Sequence, residues 1–285
     1  NDDSLAGRYR ITFVYRYSAR YESGFRERVK KVVDSAPIKL LNIGDYTGDI
    51  AFKPARLAIK TIFSLFLVKY WFILWNTIVL YRVFRKEGIG LLHINNGGYP
   101  GAYSCMSAVF AARLAGIKRV VYVVNNAAFS YRSFQRWLDY PLDRFVAGTV
   151  SVFITGSEYA RARLVHVLRL PFGKALSIHN GIQPRAVTEG REEVLRRLGV
   201  EQGRLLIAAV AVLEERKGHV CLLKAVQRLI GQGYGAGITV IIEGSGTLLE
   251  SLKAFVVEAG LSENVRFIGN EANVFNLLNA ADVVA

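Results

Sequence analysis

Short runs of β-branched and other apolar residues alternate with helical segments along nearly the whole chain, and few architectures accommodate such a pattern. The helical segments carry small and apolar residues at helical spacing, and one of them, 101–116, ends at Gly116. Because largely apolar strands separated by helices favour a parallel sheet covered on both faces, we predict an α/β fold. In the first part of the chain we predict strands over 10–17, 39–43, 90–94, 119–124, 149–154 and 175–178.

The alternation is interrupted once and then resumes. Residues 183–203 are polar and charged and include Pro184, which is typical of a linker. A chain of 285 residues also exceeds one comfortable hydrophobic core. We therefore predict two Rossmann-like, doubly wound domains, 1–182 and 204–285, joined by this linker. In the second domain we predict strands over 205–212, 238–242 and 265–268, helices over 217–230, 247–259 and 272–279, and only the opening of a fourth strand at 283–284, so we expect it to be incomplete at Ala285.

The net charge of +14 belongs to the first domain. Residues 1–182 hold 26 Lys and Arg against 11 Asp and Glu, whereas residues 183–285 hold 11 against 12. Such asymmetry predicts an anionic partner for the first domain, either a nucleic acid or an anionic membrane surface. The cations are dispersed, and no helix-turn-helix, RNA-recognition or metal-finger pattern accompanies them, so we expect no nucleic acid.

A long apolar stretch, 57–81, bears on contact with a membrane. Lys60, Lys69 and Asn76 interrupt it, and a lysine near the centre of a spanning helix costs a few kcal/mol, so we do not expect it to cross a bilayer. Two interpretations remain open: a core helix whose lysines extend to solvent, or a helix that lies in the membrane interface. The second rests on Phe66, Trp71, Phe72 and Trp75, followed by Arg82, Arg85 and Lys86.

The cysteines indicate the compartment. Cys105 and Cys221 can form at most one bridge, so the chain is not a disulfide framework, and a reducing, cytoplasmic setting is expected. Together with the basic first domain, this predicts a cytoplasmic protein that is peripheral on the inner face of the plasma membrane.

Two loops of the second domain follow predicted strands and contain glycine. Arg216, Lys217 and Gly218 precede a helix, whose N-terminus offers free N–H groups and a partial positive charge, and a lysine there adds a charge suited to phosphate. The loop is a candidate diphosphate site, and an ordinary solvated turn is the alternative. Gly244 and Gly246 follow the next strand, where glycine lets a ligand or another backbone segment approach closely.

In the first domain, a loop rich in amides and glycines joins a strand end to a helix start. Its composition suits hydrogen bonding to a sugar or phosphate, and it equally suits a tight turn with an Asn cap. A second amide pair ends the next strand, so we expect both pairs on the same rim of the sheet. The candidate ligand-binding residues on this rim are Asn95, Asn96, Gly97, Gly98, Asn125 and Asn126.

Several catalytic classes lack their sequence patterns. The four histidines have no metal-ligand spacing with Cys, Asp or Glu, so we predict no metal site. Neither the G-x-S-x-G nucleophile motif nor the Walker A motif occurs, which argues against a serine hydrolase and a P-loop ATPase. The glycines at 244 and 246 lack the third glycine of the dinucleotide fingerprint, which argues against a nicotinamide site.

Three motifs in order resemble one known family. The segments VAVLEERKGHVCLLKAV, VIIEGSGTLLESLKAFVVEAGL and NVRFIGNEANVFNLLNAADVVA resemble the C-terminal domain of the family 4 glycosyltransferases, the retaining group with the GT-B fold. Residues 179–182 (HNGI) resemble that family's hinge between domains, and residues 155–158 (TGSE) match its serine-bearing strand end. The resemblance extends from about residue 88 onward and is strongest from Ser177.

The resemblance implies a hexosyltransferase-type enzyme that moves a sugar from a UDP- or GDP-linked donor to an acceptor with retention, with no metal or other cofactor. By the family's pattern Lys217 and Gly218, with Arg216 beside them, hold the donor diphosphate. By the same pattern, the nucleotide would be bordered by Gly244, Gly246, Ile268 and Gly269. Donors placed at the diphosphate would stabilise the charge that develops as the glycosidic bond breaks. We expect a lipid-linked or polysaccharide acceptor, as in envelope polysaccharide assembly.

This chain departs from the family pattern at three places. Residues 211–213 read Ala-Val-Leu where the family often has Gly-Arg-Leu, and Asn125 and Asn126 stand where it often has a histidine. The glutamate pair that contacts the donor sugar and ribose is expected beyond Ala285, so the catalytic residues are unknown and residues 1–285 alone are expected to be inactive. Two alternatives therefore stay open: a GT-B-like nucleotide-sugar epimerase, and a catalytically degenerate nucleotide-binding module.

Overall fold

A computed structural model describes residues 8–18, 21–22, 25, 34–47, 52–65, 67–182 and 185–285. The chain divides into two compact units, 1–180 and 181–285. We call them the first unit and the second unit and describe each by itself.

The first unit contains a four-stranded parallel sheet in the order β3-β4-β5-β6 and a parallel pair, β1 and β2. The strands are β1 (Thr12–Arg16), β2 (Asp34–Ile38), β3 (Leu91–Asn96), β4 (Arg119–Val124), β5 (Val152–Thr155) and β6 (Ala175–Ser177). The helices are α1 (Ile43–Thr47), α2 (Lys53–Leu65), α3 (Val68–Glu87), α4 (Tyr103–Leu114), α5 (Phe134–Trp137), α6 (Tyr140–Thr149) and α7 (Glu158–Leu168).

The second unit contains a second four-stranded parallel sheet, in the order β10-β7-β8-β9. Its strands are β7 (Leu205–Val210), β8 (Ile238–Glu243), β9 (Val265–Gly269) and β10 (Val283–Val284). Its helices are α8 (Arg191–Arg197), α9 (His219–Leu229), α10 (Leu249–Glu258) and α11 (Val274–Ala280), with short helical turns at Glu215–Lys217, Ile230–Tyr234 and Gly235–Gly237.

The central strands are apolar because helices cover both faces of each sheet. Every residue of β8 except the last is buried, and Tyr122 of β4 and Phe153 of β5 are fully buried in the first unit. A parallel strand enclosed in this way has no solvent face that would require polar residues. The predicted α/β class with parallel, doubly wound sheets is confirmed.

The strand predicted over 39–43 is wrong, because the strand lies earlier, at β2. Leu41 is held by a side chain instead of a ladder: its N–H donates to Asn76 Oδ1 at 2.8 Å, and Asn76 Nδ2 donates to its carbonyl oxygen at 3.0 Å. Asn42 Oδ1 then accepts the N–H of Gly44 at 2.8 Å, which begins α1. Asn76, which looks like an interruption of the apolar stretch, is fully buried and performs this role.

The stretch predicted as a linker, 183–203, is largely docked on the second unit, although Gln183 and Pro184 lie outside the described residues. It contains α8, whose Val194 and Leu195 pack in a core cluster with β7 and α11. The backbone N–H of Thr188 also donates to the buried Asn276 Oδ1 at 2.9 Å. Charged residues on the outer face of α8 conceal this short amphipathic pattern in the sequence.

The apolar stretch 57–81 forms parts of two helices, α2 and α3. Within the described residues no single helix is long and apolar enough to cross a membrane; residues 54–63 with 68–87 reach that length and composition together but are bent by 70°. Leu67, at the break, has a left-handed backbone with φ of 53°. Phe72 is buried, Trp71 and Trp75 are exposed, and Phe66 lies outside the described residues.

Candidate functional site

The loops after β7, β8 and β9 lie together at the carboxyl edge of the second sheet. The strand order reverses at β7, since β8 and β9 follow on one side and β10 lies on the other. In open α/β sheets ligands bind outside the carboxyl ends of the strands at such a reversal. Main-chain bonds join the loops: Ala211 N to Glu243 O at 3.1 Å, Leu213 N to Ser245 O at 3.1 Å, and Gly244 N to Gly269 O at 2.7 Å.

Gly244 and Gly246 make this close packing possible. A Cβ atom on Gly244 would overlap the carbonyl oxygen of Ala211, and one on Gly246 would overlap the carbonyl oxygen of Leu213. Of the two roles that the sequence left open, the structure therefore shows the approach of backbone to backbone. Gly269, with φ of 70°, joins the loop after β9 to the loop after β8, because its carbonyl oxygen accepts the N–H of Gly244. Ile268 packs against the core.

Lys217 lies where the loop after β7 turns into α9. It ends the turn Glu215–Lys217, and Gly218 follows with a left-handed φ of 73°. None of the side chains that the structure describes caps α9, so the N–H groups of its first turn have no side-chain acceptor there. In the part of the chain that the structure describes, the Lys217 ammonium group has no carboxylate partner, whereas Arg216 Nε pairs with Glu214 Oε2 at 2.8 Å. The geometry offers an anion one free cation and an open helix N-terminus.

His219, the first residue of α9, is a feature that sequence reasoning missed. Its side chain is only 4% exposed, and its Nδ1 has no hydrogen-bond partner among the described residues. Burial, with a smaller contribution from Lys217, lowers the pKa of the imidazole below its ordinary 6.5, so the ring is neutral at pH 7. Its position directly after Lys217 and Gly218 was the available signal.

We expect the free energy of unfolding to fall as pH drops below 6.5, because the unfolded chain binds a proton that buried His219 resists. Urea unfolding at pH 7.5 and pH 5.5 measures this difference. His219→Leu is expected to reduce the fall, whereas His166→Leu, at an exposed histidine, is expected to leave it unchanged. If the free energy of unfolding falls equally in the two variants, the pH dependence belongs to groups other than His219.

In the first unit the structure brings the two amide pairs together. Asn125 Nδ2 donates to Asn95 Oδ1 at 2.7 Å and to the carbonyl oxygen of Asn96 at 3.0 Å. Asn126 Nδ2 donates to the carbonyl oxygen of Gly97. These amide groups hold the loop 95–101 against the end of β4. Asn95, Gly97, Asn125 and Asn126 are exposed, while Asn96 and Gly98 are buried.

Asn96 is an internal anchor of that loop. Its Nδ2 donates to Tyr122 Oη at 2.7 Å and to Pro100 O at 3.0 Å, and its Oδ1 accepts from Ala102 N at 3.1 Å. With 3% of its surface exposed, it has no face left for a ligand. Of the two roles that the sequence left open for this loop, ligand binding or a tight turn held by an asparagine, Asn96 has the second.

Asn96→Ala is expected to lower the free energy of unfolding by about 2–4 kcal/mol, because it leaves a buried hydroxyl and a backbone N–H without partners. Asn95→Ala, at the exposed neighbour, is expected to change it by less than about 0.5 kcal/mol. Urea unfolding of both variants measures the contrast. Equal effects would mean that the three bonds do not stabilise the loop.

The segment 155–158 shows a structural role for its serine. Ser157 Oγ accepts the N–H of Ala160 at 3.2 Å and so caps α7. The side chain of Asn180, from the motif 179–182, lies against Gly156. Among the described residues, no group of three or more His, Cys, Asp or Glu could hold a metal ion.

Comparisons with known proteins bear on both units. The family model for glycosyltransferase family 4 matches residues 44–185, and the model for glycosyl transferases group 1 matches residues 190–285. A search of curated proteins gives no significant match.

Three solved structures illustrate the similarity in fold. A glycosyltransferase from Rickettsia africae ESF-5 is 12% identical with a TM-score of 0.66, covering 99% of this chain and 65% of that one. HepE from Anabaena, in complex with UDP and glucose, is 15% identical with a TM-score of 0.65, covering 98% and 67%. WaaG, a glycosyltransferase involved in lipopolysaccharide biosynthesis, is 12% identical with a TM-score of 0.61, covering 99% and 68%. The chain thus spans about two thirds of the length of these structures, and with the two family models covering most of its residues, it belongs to the family 4 glycosyltransferases and has the GT-B fold.

Proposed function

We propose that the protein is a retaining hexosyltransferase that takes its sugar from a nucleotide-sugar donor, with UDP-linked donors the first to test. The observation that carries this proposal is Lys217, which has no carboxylate partner among the described residues and lies at the N-terminus of α9, at the reversal of the strand order. HepE, which shares the fold, was solved with UDP and with UDP-glucose. Membership of the family supports sugar transfer as the reaction.

In the proposed reaction the second unit binds the leaving group. As the bond between the sugar and the diphosphate breaks, negative charge grows on the phosphate oxygens. The Gly218 turn fixes the backbone N–H groups at the start of α9 in advance, so they stabilise that charge without reorganising, and the exposed Lys217 ammonium group adds its positive charge from the same turn. The acceptor hydroxyl then attacks the anomeric carbon from the face that the diphosphate leaves and gives its proton to the departing diphosphate, so the new bond keeps the configuration of the old one. Ala211–Leu213 contribute no second cation here.

Nucleotide titration tests the donor part of the proposal. UDP is expected to bind saturably, and UMP at least about tenfold more weakly, because the Lys217 site recognises the second phosphate. GDP titrated in parallel reports the preference for the base. If UMP binds as tightly as UDP, the diphosphate site is wrong. Product analysis by NMR then tests retention, and UDP binding without any turnover would favour a nucleotide-binding module.

We also propose that the protein works in the cytoplasm, peripherally on an anionic membrane surface, through one face of α3. Trp71, Leu74, Trp75 and Ile78 recur at helical spacing and are 69%, 53%, 54% and 40% exposed. On the opposite face Phe72, Ile73, Leu80 and Phe84 are buried. The exposed basic residues Arg82, Arg85 and Lys86 follow in the last turns of the helix.

The remaining lysine of α3 does not oppose this contact. Lys69 Nζ donates to Asp139 Oδ1 at 2.7 Å and to Gln135 O at 3.2 Å, and its side chain is 16% exposed. Its charge is therefore balanced inside the first unit instead of extending to solvent. Aromatic residues beside cations, with no free charge among them, are typical of a helix that lies in an anionic interface.

A further inference from the structure

A cavity of about 490 Å³ lies in the first unit. Its walls come from four parts of the chain that are far apart in sequence. They are α1 with the residue before it, the junction of α2 and α3, the start of α4 with the two residues before it, and a residue of α5: Asn42, Ile43, Gly44, Thr47, Phe63, Leu67, Lys69, Gly101, Ala102, Tyr103 and Gln135.

The cavity lies where strands end. Residues 42–47 follow the carboxyl end of β2, and residues 101–103 follow the carboxyl end of β3. Open α/β sheets bind their ligands outside these strand ends. The wall at 101–102 is also held rigidly, since Asn96 Oδ1 accepts the N–H of Ala102 at 3.1 Å. The amide-rich loop 95–101 thus shapes the cavity, although Asn96 itself is buried behind the wall and does not line the cavity.

The polar groups of the cavity are mostly neutral. Within the described residues the Tyr103 hydroxyl has no hydrogen-bond partner, and burial raises the pKa of this phenol, so it stays a proton donor. Asn42 uses Oδ1 for Gly44 N, which leaves its Nδ2 to donate. Lys69 is balanced by Asp139. Neutral donors in one cavity with the apolar side chains of Ile43 and Phe63 suit a sugar ring, which has hydroxyl edges and apolar faces, better than a phosphate.

The apolar wall continues onto the outer surface. Leu67 lines the cavity and is also 41% exposed at the break between α2 and α3. One turn further on, Trp71 begins the exposed apolar face of α3, and Ile62 is exposed on α2. A ligand with an apolar chain would find a path from the cavity along these side chains.

We propose that this cavity binds the sugar head group of a neutral glycolipid, whose hydrocarbon chain lies along the exposed residues of α2 and α3. Its role as the acceptor site rests on the proposed transferase function, but the binding itself does not. A polysaccharide without a lipid would use the cavity and leave the exposed leucine, isoleucine and tryptophan side chains uncovered.

The test uses octyl glucoside below its micellar concentration as the probe, with octyl phosphate and free glucose for comparison. Wild-type protein is expected to bind octyl glucoside at least about tenfold more tightly than either comparison ligand, because only octyl glucoside satisfies both the neutral donors and the apolar path. Tighter binding of octyl phosphate, or equal binding of glucose, would overturn the assignment to a neutral glycolipid.

Two variants locate the binding. Ala102→Leu fills the cavity and is expected to weaken octyl glucoside at least about tenfold, and Tyr103→Phe, which removes only a hydroxyl, about fivefold. Ala162→Leu makes the same change as the first on an exposed position of α7 and should have no effect. Unchanged octyl glucoside binding in both cavity variants would overturn the proposal. UDP is also titrated into the wild-type protein and into every variant. If none of them binds UDP, the donor site of the second unit is refuted, whereas the glycolipid site in the first unit is judged by octyl glucoside binding alone.

Discussion

Lys217→Ala is expected to weaken UDP binding by about 10- to 100-fold, because a charge-assisted contact to phosphate is worth about 1.5–3 kcal/mol. The ammonium group is exposed and, among the described residues, unpaired by any carboxylate, so its whole charge is available to the ligand. Titration of UDP and of uridine into the variant measures the effect. The loss should appear with UDP and be absent with uridine, which carries no phosphate.

Two control variants sharpen this measurement. Lys224→Ala removes the same charge from an exposed position further along α9, and it is expected to change UDP affinity less than about twofold. Arg216→Ala is expected to lie between the two, because Glu214 already engages its guanidinium group at 2.8 Å. Equal losses for Lys217→Ala and Lys224→Ala would mean that the second unit attracts UDP by its general field and has no built phosphate site.

Exchanging Trp71 and Trp75 together for serine is expected to lower partitioning onto anionic liposomes by about 100-fold. Each exposed indole contributes roughly 1.5–3 kcal/mol when it leaves water, and the pair carries most of the apolar surface of the exposed face of α3. Cosedimentation with liposomes that contain phosphatidylglycerol measures the partitioning. Trp137→Ser, at a tryptophan of α5 that is also exposed, is the matched control and should bind as wild type does.

Liposome cosedimentation also tests what holds the exposed face of α3 to the membrane. Recovery with anionic liposomes should fall at high salt, because Arg82, Arg85 and Lys86 act through screened charge. Equal recovery with neutral and anionic liposomes would remove the electrostatic part of the proposal. Association of the protein with itself that disappears in the double variant would instead assign the face to a second copy of the chain.

The sequence predicted best those elements whose residues are enclosed on all sides. The β4 strand was predicted with its observed bounds and β8 to within one residue, since a strand buried on both faces must be apolar. The strand predicted over 39–43 was wrong because burial there does not come from a sheet. It is apolar and partly buried, but Asn76, which is 35 positions from Leu41, satisfies the backbone groups that a sheet would otherwise have bonded.

The features of the candidate sites also divide into those that local sequence could predict and those that depend on distant residues. Lys217 could be identified because a strand, a turn and a helix N-terminus are all local in sequence. The partners of Gly244 and Gly246 could not, because they are carbonyl groups of another loop about thirty residues away. The cavity in the first unit was beyond sequence reasoning altogether, because residues 42, 67 and 103 meet only through the packing of α1, α3 and α4.

The bonding between the three loops of the second unit also separates two kinds of position for protein engineering. Positions 244 and 246 accept only glycine whichever nucleotide is bound, because a Cβ atom there would displace the loop after β7. Val212 and Arg216, in contrast, extend exposed side chains from that loop and are under no such steric limit. Libraries aimed at changing the donor can therefore vary these two positions while the glycines keep the loop backbones in register.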